Sequence, residues 1–175
     1  MLEIDQQNIL YKSIMFIDIV NSTSLWNINN IEMINALKTF SNIITKYSTL
    51  YNNEIVQFNG DSFMLVSDKL INSINCGVNI QTHLKNNNIK INDKILTSRI
   101  GICYGEVYNA EITIKNEKRI TYLGNTTNIA AKIESEICNY NEVCFATNIN
   151  INNINKQYNL ISTKYKNLNV YKIII

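Results

Sequence analysis

Residues 13–23 read SIMFIDIVNST and join an apolar run to a polar turn. The first seven of these residues are almost all apolar and rich in β-branched side chains, which is typical of a central strand buried on both faces. Asp18 lies at the end of this run, and Ser22 or Thr23 is placed to cap a following helix. Because the apolar residues of 31–50 recur at helical spacing, we predict a strand, a turn and a helix in that order.

In the later segments, strand-like and helix-like spacing of apolar residues follow one another, which predicts an α+β domain. Asn59-Gly60 separates two short strand-like runs, and an Asn-Gly pair in this setting is a strong β-hairpin signal. We expect Gly105 to join two strands and Gly124 to open a helix. The predicted strands are residues 54–58, 62–67, 96–104, 106–114, 119–122, 142–145, 158–163 and 168–174; the predicted helices are 68–84 and 126–137, with a hairpin tip at 115–118. The opening order βαββαβ predicts a ferredoxin-like, mainly antiparallel sheet with helices on one face, in a single domain of residues 1–175.

The composition of the 175-residue chain is that of an ordinary globular protein. Hydrophobic residues make up 46%, charged residues 17%, and mean hydropathy is -0.09. No apolar run approaches the roughly 20 residues of a membrane helix, and the acidic Glu3 and Asp5 stand where a signal peptide would be basic. A net charge of +2 is too small to indicate binding to nucleic acid or to an anionic membrane. We therefore expect a cytoplasmic protein with no nucleic-acid and no membrane partner.

Two carboxylates stand beside predicted strands, Asp18 at the end of the first strand and Asp61 just past Gly60 at the tip of the predicted hairpin. Taken alone, each has an ordinary explanation, since Asp18 can cap a helix and Asp61 can belong to an Asn-Gly-Asp turn. Together, at the same end of neighbouring strands, they could hold two divalent cations between hard oxygen ligands. Two such ions stabilise the attacking and leaving oxygens of a phosphoryl transfer, and the turn at residues 20–23 could bind a polyphosphate.

Four motifs resemble the class III nucleotide cyclases, in the order and spacing of that family. Residues 16–23, FIDIVNST, resemble the F-x-D-I-x-G-S/T-T metal and phosphate turn, and residues 58–64, FNGDSFM, resemble the x-x-G-D-x-F/Y-M hairpin. Residues 99–107, RIGICYGEV, are similar to R-I-G-I-H-x-G-x-V with Cys103 in the place of histidine, and residues 124–132, GNTTNIAAK, are similar to G-x-x-V-N-x-A-A-R. Four of the chain's five glycines lie within these motifs, and the resemblance covers nearly the whole chain.

The resemblance implies an enzyme that converts a nucleoside triphosphate to a 3′,5′-cyclic nucleotide and pyrophosphate. In this family the ribose 3′-hydroxyl attacks the α-phosphate, and the active sites lie at the interface of a dimer, here a homodimer. Phosphoryl transfer depends mainly on positioning and charge neutralisation, so few protein groups are needed. By resemblance, Asp18, Asp61 and the Ile19 carbonyl bind two Mg²⁺ or Mn²⁺ ions; Asn21, Ser22 and Thr23 bind phosphates; and Asn128 orients the ribose from the partner chain.

Several positions depart from the family pattern. Lys132 stands where the family has its transition-state arginine, and lysine provides the charge without the planar fork of arginine. The triphosphate lysine is expected before the last strand, where Lys166 is preferred to Lys164. At the base-reading positions, adenylate cyclases typically carry lysine and aspartate, and guanylate cyclases glutamate and a small residue such as cysteine. Gln57 and Thr121 match neither pair.

Gln57 and Thr121 can each donate or accept a hydrogen bond, which suits a uracil or cytosine edge and does not forbid adenine. We therefore favour UTP or CTP as substrate. A bare cyclase domain also resembles the stand-alone pyrimidine cyclases of bacterial Pycsar antiphage defence, whose product is a second messenger. The alternatives are an adenylate cyclase, a palm-type enzyme such as a diguanylate cyclase, and a catalytically silent nucleotide-binding homologue.

Overall fold

The computed structural model describes residues 8–114, 117–151, 154–165 and 168–175. Within these ranges the strands are β1 (Asn8–Ile19), β2 (Glu54–Phe58), β3 (Ser62–Ser67), β4 (Lys90–Ile91), β5 (Lys94–Ile95), β6 (Ser98–Ile114), β7 (Glu117–Leu123), β8 (Val143–Thr147), β9 (Tyr158–Tyr165) and β10 (Leu168–Ile173). The helices are α1 (Ser22–Trp26), α2 (Asn30–Leu50), α3 (Leu70–Asn87) and α4 (Asn125–Lys132), which continues into a π-helical turn at Ile133–Ile137.

The main sheet has the strand order β2-β3-β1-β6-β8-β10-β9, with β7 paired to β6. Its first four strands are antiparallel neighbours, α2 connects β1 to β2, and α3 connects β3 to β6. This arrangement is the ferredoxin-like βαββαβ unit, and the predicted α+β class is confirmed. β6 and β8 form the one parallel pair between described strands.

The sheet carries helices on both faces, so the expectation of helices on one face is wrong. On one face, α2 and α3 cover a large apolar cluster that includes Ile17 and Ile100. On the opposite face, α4 and the π-helical turn cover a second cluster that includes Ile14, Cys103 and Ile129. Successive apolar side chains of the central strands point in turn into one cluster and then the other. A layer of helix is therefore needed on each face of the sheet to bury these side chains.

Two local expectations are also corrected. Gly105 does not separate two strands, because β6 runs without a break through it and Gly105 pairs with Lys12 of β1. Ser22 and Thr23 do not cap a long helix; they are the first residues of the short α1. The side chain of Asn29 caps α2 instead, accepting from the backbone N–H groups of the second and third helical residues.

The other predicted segments agree with the structure to within a few residues. The hairpin at Asn59-Gly60 forms, with Gly60 at φ 77° and the Asn59 N–H donating to the Ser62 carbonyl at 3.0 Å. The tip expected at 115–118 lies partly outside the described residues. No helix in the described part of the chain combines the length and the apolar character required to cross a bilayer.

Candidate active site

Asp18 and Asp61 lie side by side at the ends of neighbouring strands. Asp18 is opposite Ser62 in the β1–β3 ladder, and the Ile19 N–H donates to the Asp61 carbonyl at 3.3 Å. The positive φ of Gly60 turns the chain so that Asp61 comes directly beside the end of β1. The predicted meeting of the two acidic residues is therefore found.

The carboxylate of Asp18 is poorly compensated by positive charge. Its side chain is 27% exposed, and the Arg99 Nη2 lies 3.3 Å from its Oδ2. Burial and then the negative charge of Asp61 raise the pKa of Asp18, and the opposing effect of Arg99 does not offset them. A half-buried carboxylate beside a second carboxylate is suited to a divalent cation.

The oxygen atoms of Asp18, Asp61 and the Ile19 carbonyl are suited to metal ions that bind together with a substrate. Within the described ranges no group of three or more His, Cys, Asp or Glu side chains is close enough to hold a metal. Two carboxylates and a backbone carbonyl leave several coordination positions of Mg²⁺ for water and phosphate oxygens, and Mg²⁺ is usually bound in that way. Asp18, Asp61 and the Ile19 carbonyl therefore stay the predicted ligand set, one that is compatible with Mg²⁺.

The turn after β1 is built around Asn21. This residue has φ 56° and ψ 33°, the left-handed conformation, and its carbonyl accepts the N–H groups of Ser24 and Leu25. Asparagine tolerates this conformation better than other side chains, which explains how it occupies the position of a family glycine. Ser22, half-buried, and Thr23, exposed, begin α1 immediately beyond Asp18.

Asn128 and Lys132 lie one turn apart on α4, and both side chains are exposed. Both line a cleft of about 910 Å³ together with Gly105, Thr126 and other residues of β6 and α4. The Thr126 hydroxyl donates to the Glu106 carbonyl at 2.6 Å, which fixes the start of the helix against β6. The two residues predicted as catalytic, Asn128 and Lys132, are thus on one helix and line one cleft.

These two groups of residues do not share a cleft within one chain. Neither Asp18 nor Asp61 lines the cleft that Asn128 and Lys132 line. The base-reading candidates are also apart, because Gln57 is exposed on β2, an edge of the sheet, and Thr121 is on β7, beyond β6. Lys166 lies outside the described residues, and the side chain of Lys164 is not described either.

Sequence reasoning missed the bridge that connects Asp18 to the helical turn after α4. Arg99 is the cross-strand partner of Asp18 on β6, and its Nε is hydrogen-bonded to the Glu134 carboxylate. Burial raises the pKa of Glu134, against the lowering effect of Arg99. The strand register would have revealed the Asp18–Arg99 pair, but the position of Glu134 required the packing of α4 onto β6.

Comparison with known proteins identifies the family. A family model described as the adenylate and guanylate cyclase catalytic domain matches residues 4–141. The chain therefore belongs to the family of adenylate and guanylate cyclase catalytic domains, and the expectation of a nucleotide cyclase enzyme is confirmed. A search of curated protein sequences finds no match.

Solved cyclase structures share the fold over almost the whole chain. The guanylate cyclase domain of RhGC from Catenaria anguillulae in complex with GTP has a TM-score of 0.78 at 16% identity, covering 95% of this chain and 98% of that one. The adenylyl cyclase CyaB from P. aeruginosa has a TM-score of 0.78 at 16% identity, covering 97% and 96%. A dimeric guanylyl cyclase domain of the RhoGC fusion protein from Blastocladiella emersonii has a TM-score of 0.78 at 15% identity, covering 97% and 98%.

Proposed function

We propose that residues 1–175 form one catalytic domain that acts as a homodimer and cyclises a pyrimidine nucleoside triphosphate. UTP or CTP is converted to a 3′,5′-cyclic nucleotide and pyrophosphate with Mg²⁺ or Mn²⁺. The observation that carries this proposal is the division of the site, with paired carboxylates in one place and Asn128 with Lys132 in a separate exposed cleft. Two copies of the chain would form two complete sites, and each copy would contribute one of the two residue groups to each site.

The carboxylate half of the site would hold two divalent ions through Asp18, Asp61 and the Ile19 carbonyl. When bound, these ions supply positive charge to the triphosphate and lower the pKa of the attacking hydroxyl. Asp18 and Asp61 fix the coordinating oxygens on adjoining strand ends, whose backbones are hydrogen-bonded to each other. The chain's own contribution is therefore geometric and electrostatic, as phosphoryl transfer requires.

The helical half would act on the ribose and on the α-phosphate. Asn128 would hydrogen-bond the ribose ring so that the 3′-hydroxyl is aligned with phosphorus. Lys132, one turn further along α4, would place its ammonium charge on the phosphate oxygens as charge develops. Lysine makes a point contact where arginine would make two parallel hydrogen bonds, so we expect turnover below that of an arginine variant.

The rest of the triphosphate would be held by the turn of Asn21, Ser22 and Thr23, and by Lys166 near the chain's end. The left-handed Asn21 allows the backbone to turn tightly there, and Ser22 and Thr23 offer backbone N–H groups and hydroxyls. Gln57 and Thr121 would read the base from the two sides of the interface. Neither residue imposes the hydrogen-bond pattern of a purine, which supports UTP or CTP as substrate. The resemblance to the pyrimidine cyclases of bacterial antiphage defence extends the proposal to a second-messenger synthase in such a system.

A row of exposed apolar side chains supports association of two copies. Ile9, Tyr108 and Leu123 occupy aligned positions of β1, β6 and β7, and Ile9 and Leu123 are 57% and 46% exposed. Tyr11, 62% exposed, and Tyr108 also line the cleft that contains Asn128 and Lys132. Apolar rows of this kind next to a polar cleft are typical of protein interfaces.

The first experiment incubates the purified protein with each of the four ribonucleoside triphosphates and Mn²⁺, with products separated by chromatography. We expect cyclic UMP or cyclic CMP. Cyclic AMP as the main product would support the adenylate cyclase alternative. Nucleotide binding without any cyclic product would support the silent homologue, for which the replacement of arginine by Lys132 is the relevant observation.

The second experiment tests the divided site by complementation. Asp61→Ala and Asn128→Ala chains should each be inactive and folded, because both positions lie outside the buried core. After subunit exchange, a mixture should regain part of the wild-type rate, since one of the two sites in a mixed dimer is intact. Absence of activity after exchange has been verified would contradict the composite site.

A further inference from the structure

The loop between β2 and β3 holds the one Asn-Gly pair of the sequence, Asn59-Gly60, directly before Asp61. Two hydrogen bonds close this loop: the Asn59 N–H donates to the Ser62 carbonyl, and the Asp61 N–H donates to the Asn59 carbonyl, both at 3.0 Å. The second bond joins residues two apart across Gly60, which has φ 77°, so Gly60 is the centre of a γ-turn of the strained, positive-φ form. Asn59 and Gly60 are both exposed, and the centre of this turn is therefore open to solvent.

The backbone amide of Gly60 is free to react with the side chain of Asn59. Both bonds that close the loop use other groups, and the Gly60 N–H has no acceptor among the described residues. A Cβ built on Gly60 would meet no atom of the described residues within 4 Å, so the turn has room for water and for a new ring. Glycine also has no side chain to keep the Asn59 amide away from the following nitrogen. The exposed Asn59 side chain and the Gly60 nitrogen are therefore the two partners that an intramolecular imide requires.

We propose that Asn59 is a modification site at which the chain deamidates itself, and that the isoaspartate formed there moves Asp61 away from Asp18. The Gly60 nitrogen, after losing its proton to a base in solution, attacks the Asn59 Cγ. A C–N bond forms, the bond from Cγ to the side-chain nitrogen breaks, and ammonia leaves. Water then opens the five-membered succinimide: opening at Cγ gives aspartate at position 59, and opening at the backbone carbonyl gives isoaspartate. Water is the only co-reactant, and nothing is oxidised or reduced.

Isoaspartate changes the backbone that holds Asp61 in place. The main chain at position 59 then runs through Cβ and Cγ and is one carbon longer, and the carbonyl that accepts the Asp61 N–H becomes part of a free carboxylate. The turn then no longer holds Asp61 against the end of β1, where the Ile19 N–H donates to the Asp61 carbonyl at 3.3 Å. This consequence rests on the proposed role of Asp61 as a metal ligand. Ordinary aspartate at position 59 keeps the backbone, so only isoaspartate should abolish turnover.

The experiment ages the purified full chain in warm, mildly alkaline buffer and maps its peptides by mass spectrometry, with isoaspartate detected by an isoaspartyl methyltransferase. Deamidation at Asn59 should proceed within about threefold of its rate in the urea-unfolded chain, because an exposed loop with a free amide gives little protection. Asn59→Gln keeps the amide but would need a six-membered imide, so it should stay unmodified over the same period and keep its turnover. Asn59→Ser replaces it as the unreactive variant if circular dichroism shows that Asn59→Gln does not fold. An Asn59 that stays intact in the folded chain while the unfolded chain is modified would overturn the proposal.

Turnover of the aged samples tests the consequence and separates it from the proposed function. Each composite site uses the carboxylates of one chain, so activity should fall in direct proportion to the fraction of chains that carry isoaspartate. Freshly purified Asn59→Asp should stay within about threefold of the wild-type rate, because it adds an exposed charge without lengthening the backbone. If Asp61→Ala is inactive but isoaspartate costs no activity, the displacement of Asp61 is overturned and the metal site stands. If Asp61→Ala is active, the proposed role of Asp61 is wrong, and the peptide map alone decides whether Asn59 is a modification site.

Discussion

Replacing Gly101 by alanine should displace α4, the helix that carries Asn128 and Lys132. A Cβ at this position would lie 2.2 Å from the Glu134 backbone nitrogen, 2.6 Å from the Glu134 Cα and 2.6 Å from the Ala130 carbonyl oxygen. All three are backbone atoms of α4 and its π-helical turn, so no side-chain rotation can relieve the contact. The helix must move away from β6, and Asn128 and Lys132 must move with it.

The size of the effect follows from these distances. Ordinary contact begins near 3.4 Å, so the turn must shift by about 1 Å. Overpacking of a well-packed interior typically costs 1–3 kcal/mol, and we expect about 3 kcal/mol here because only backbone can respond. For a chain of this length that corresponds to a fall in Tm of roughly 6–12 °C. A misplacement of about 1 Å at catalytic groups lowers the rate by about a hundredfold.

The assay compares Gly101→Ala with Gly77→Ala as a matched control. Gly77 is on α3 and packs against Ile100, the neighbour of Gly101 on β6, from the opposite face of the sheet. A Cβ on Gly77 would be 3.3 Å from the Ile100 Cγ2 and 3.4 Å from the Val143 Cγ1, both side-chain atoms. Alanine is also favoured over glycine by about 1 kcal/mol within a helix such as α3. Chemical unfolding and cyclase turnover should therefore change little in the control. Equal stability and turnover in the two variants would refute this account of how α4 is seated.

Three further predictions concern single side chains. Asn21→Ala should lower the free energy of unfolding by about 1 kcal/mol, because alanine is strained at the left-handed φ of 56°. Asn21→Gly should change the free energy of unfolding by only about 0.3 kcal/mol, because glycine adopts this φ freely. An equal loss of stability in urea titrations of the two variants would contradict this. Lys132→Arg should raise kcat severalfold and Lys132→Ala should lower it by about a thousandfold, as steady-state rates would test. The hydrogen bond to Asp68 raises the pKa of Lys12 above its ordinary value of 10.5, so its stabilisation is full below that pH and is lost as pH rises through the raised pKa. Thermal melts at alkaline pH should show this loss in the wild type and not in Lys12→Met.

Most of the fold and the carboxylate half of the site were predictable because their signals are local. The apolar run before Asp18 and the Asn59-Gly60 turn each specify their own backbone conformation, and the ferredoxin-like order then places the first and third strands side by side. Asp18 and Asp61 must meet once those strands pair. The family motifs added the expected roles of individual residues, which position alone does not give, and those roles stay predictions.

The side of the sheet on which α4 packs was not predictable in the same way. Ile129 and Ala130 show that α4 has a buried face, but hydrophobic spacing does not say which face of a sheet a helix covers. The contact between Arg99 and Glu134 depends on that choice. It also depends on the wide π-helical turn, which has no sequence signal of its own here and is common near functional sites.

The third motif, RIGICYG at residues 99–105, forms the surface of β6 on which α4 packs. Arg99, Gly101, Cys103 and Gly105 alternate along β6 and therefore share the face that meets the helix. Gly101 admits the helix backbone, and at Gly105 a Cβ would lie 2.7 Å from the Thr126 hydroxyl. Cys103 is 1% exposed, and burial raises the pKa of its thiol to about 12, so it packs there as a small neutral side chain. Small residues of β6 lie under α4, and Arg99 contacts both Asp18 and the turn that follows α4. The strand β6 therefore fixes the position of α4 relative to Asp18.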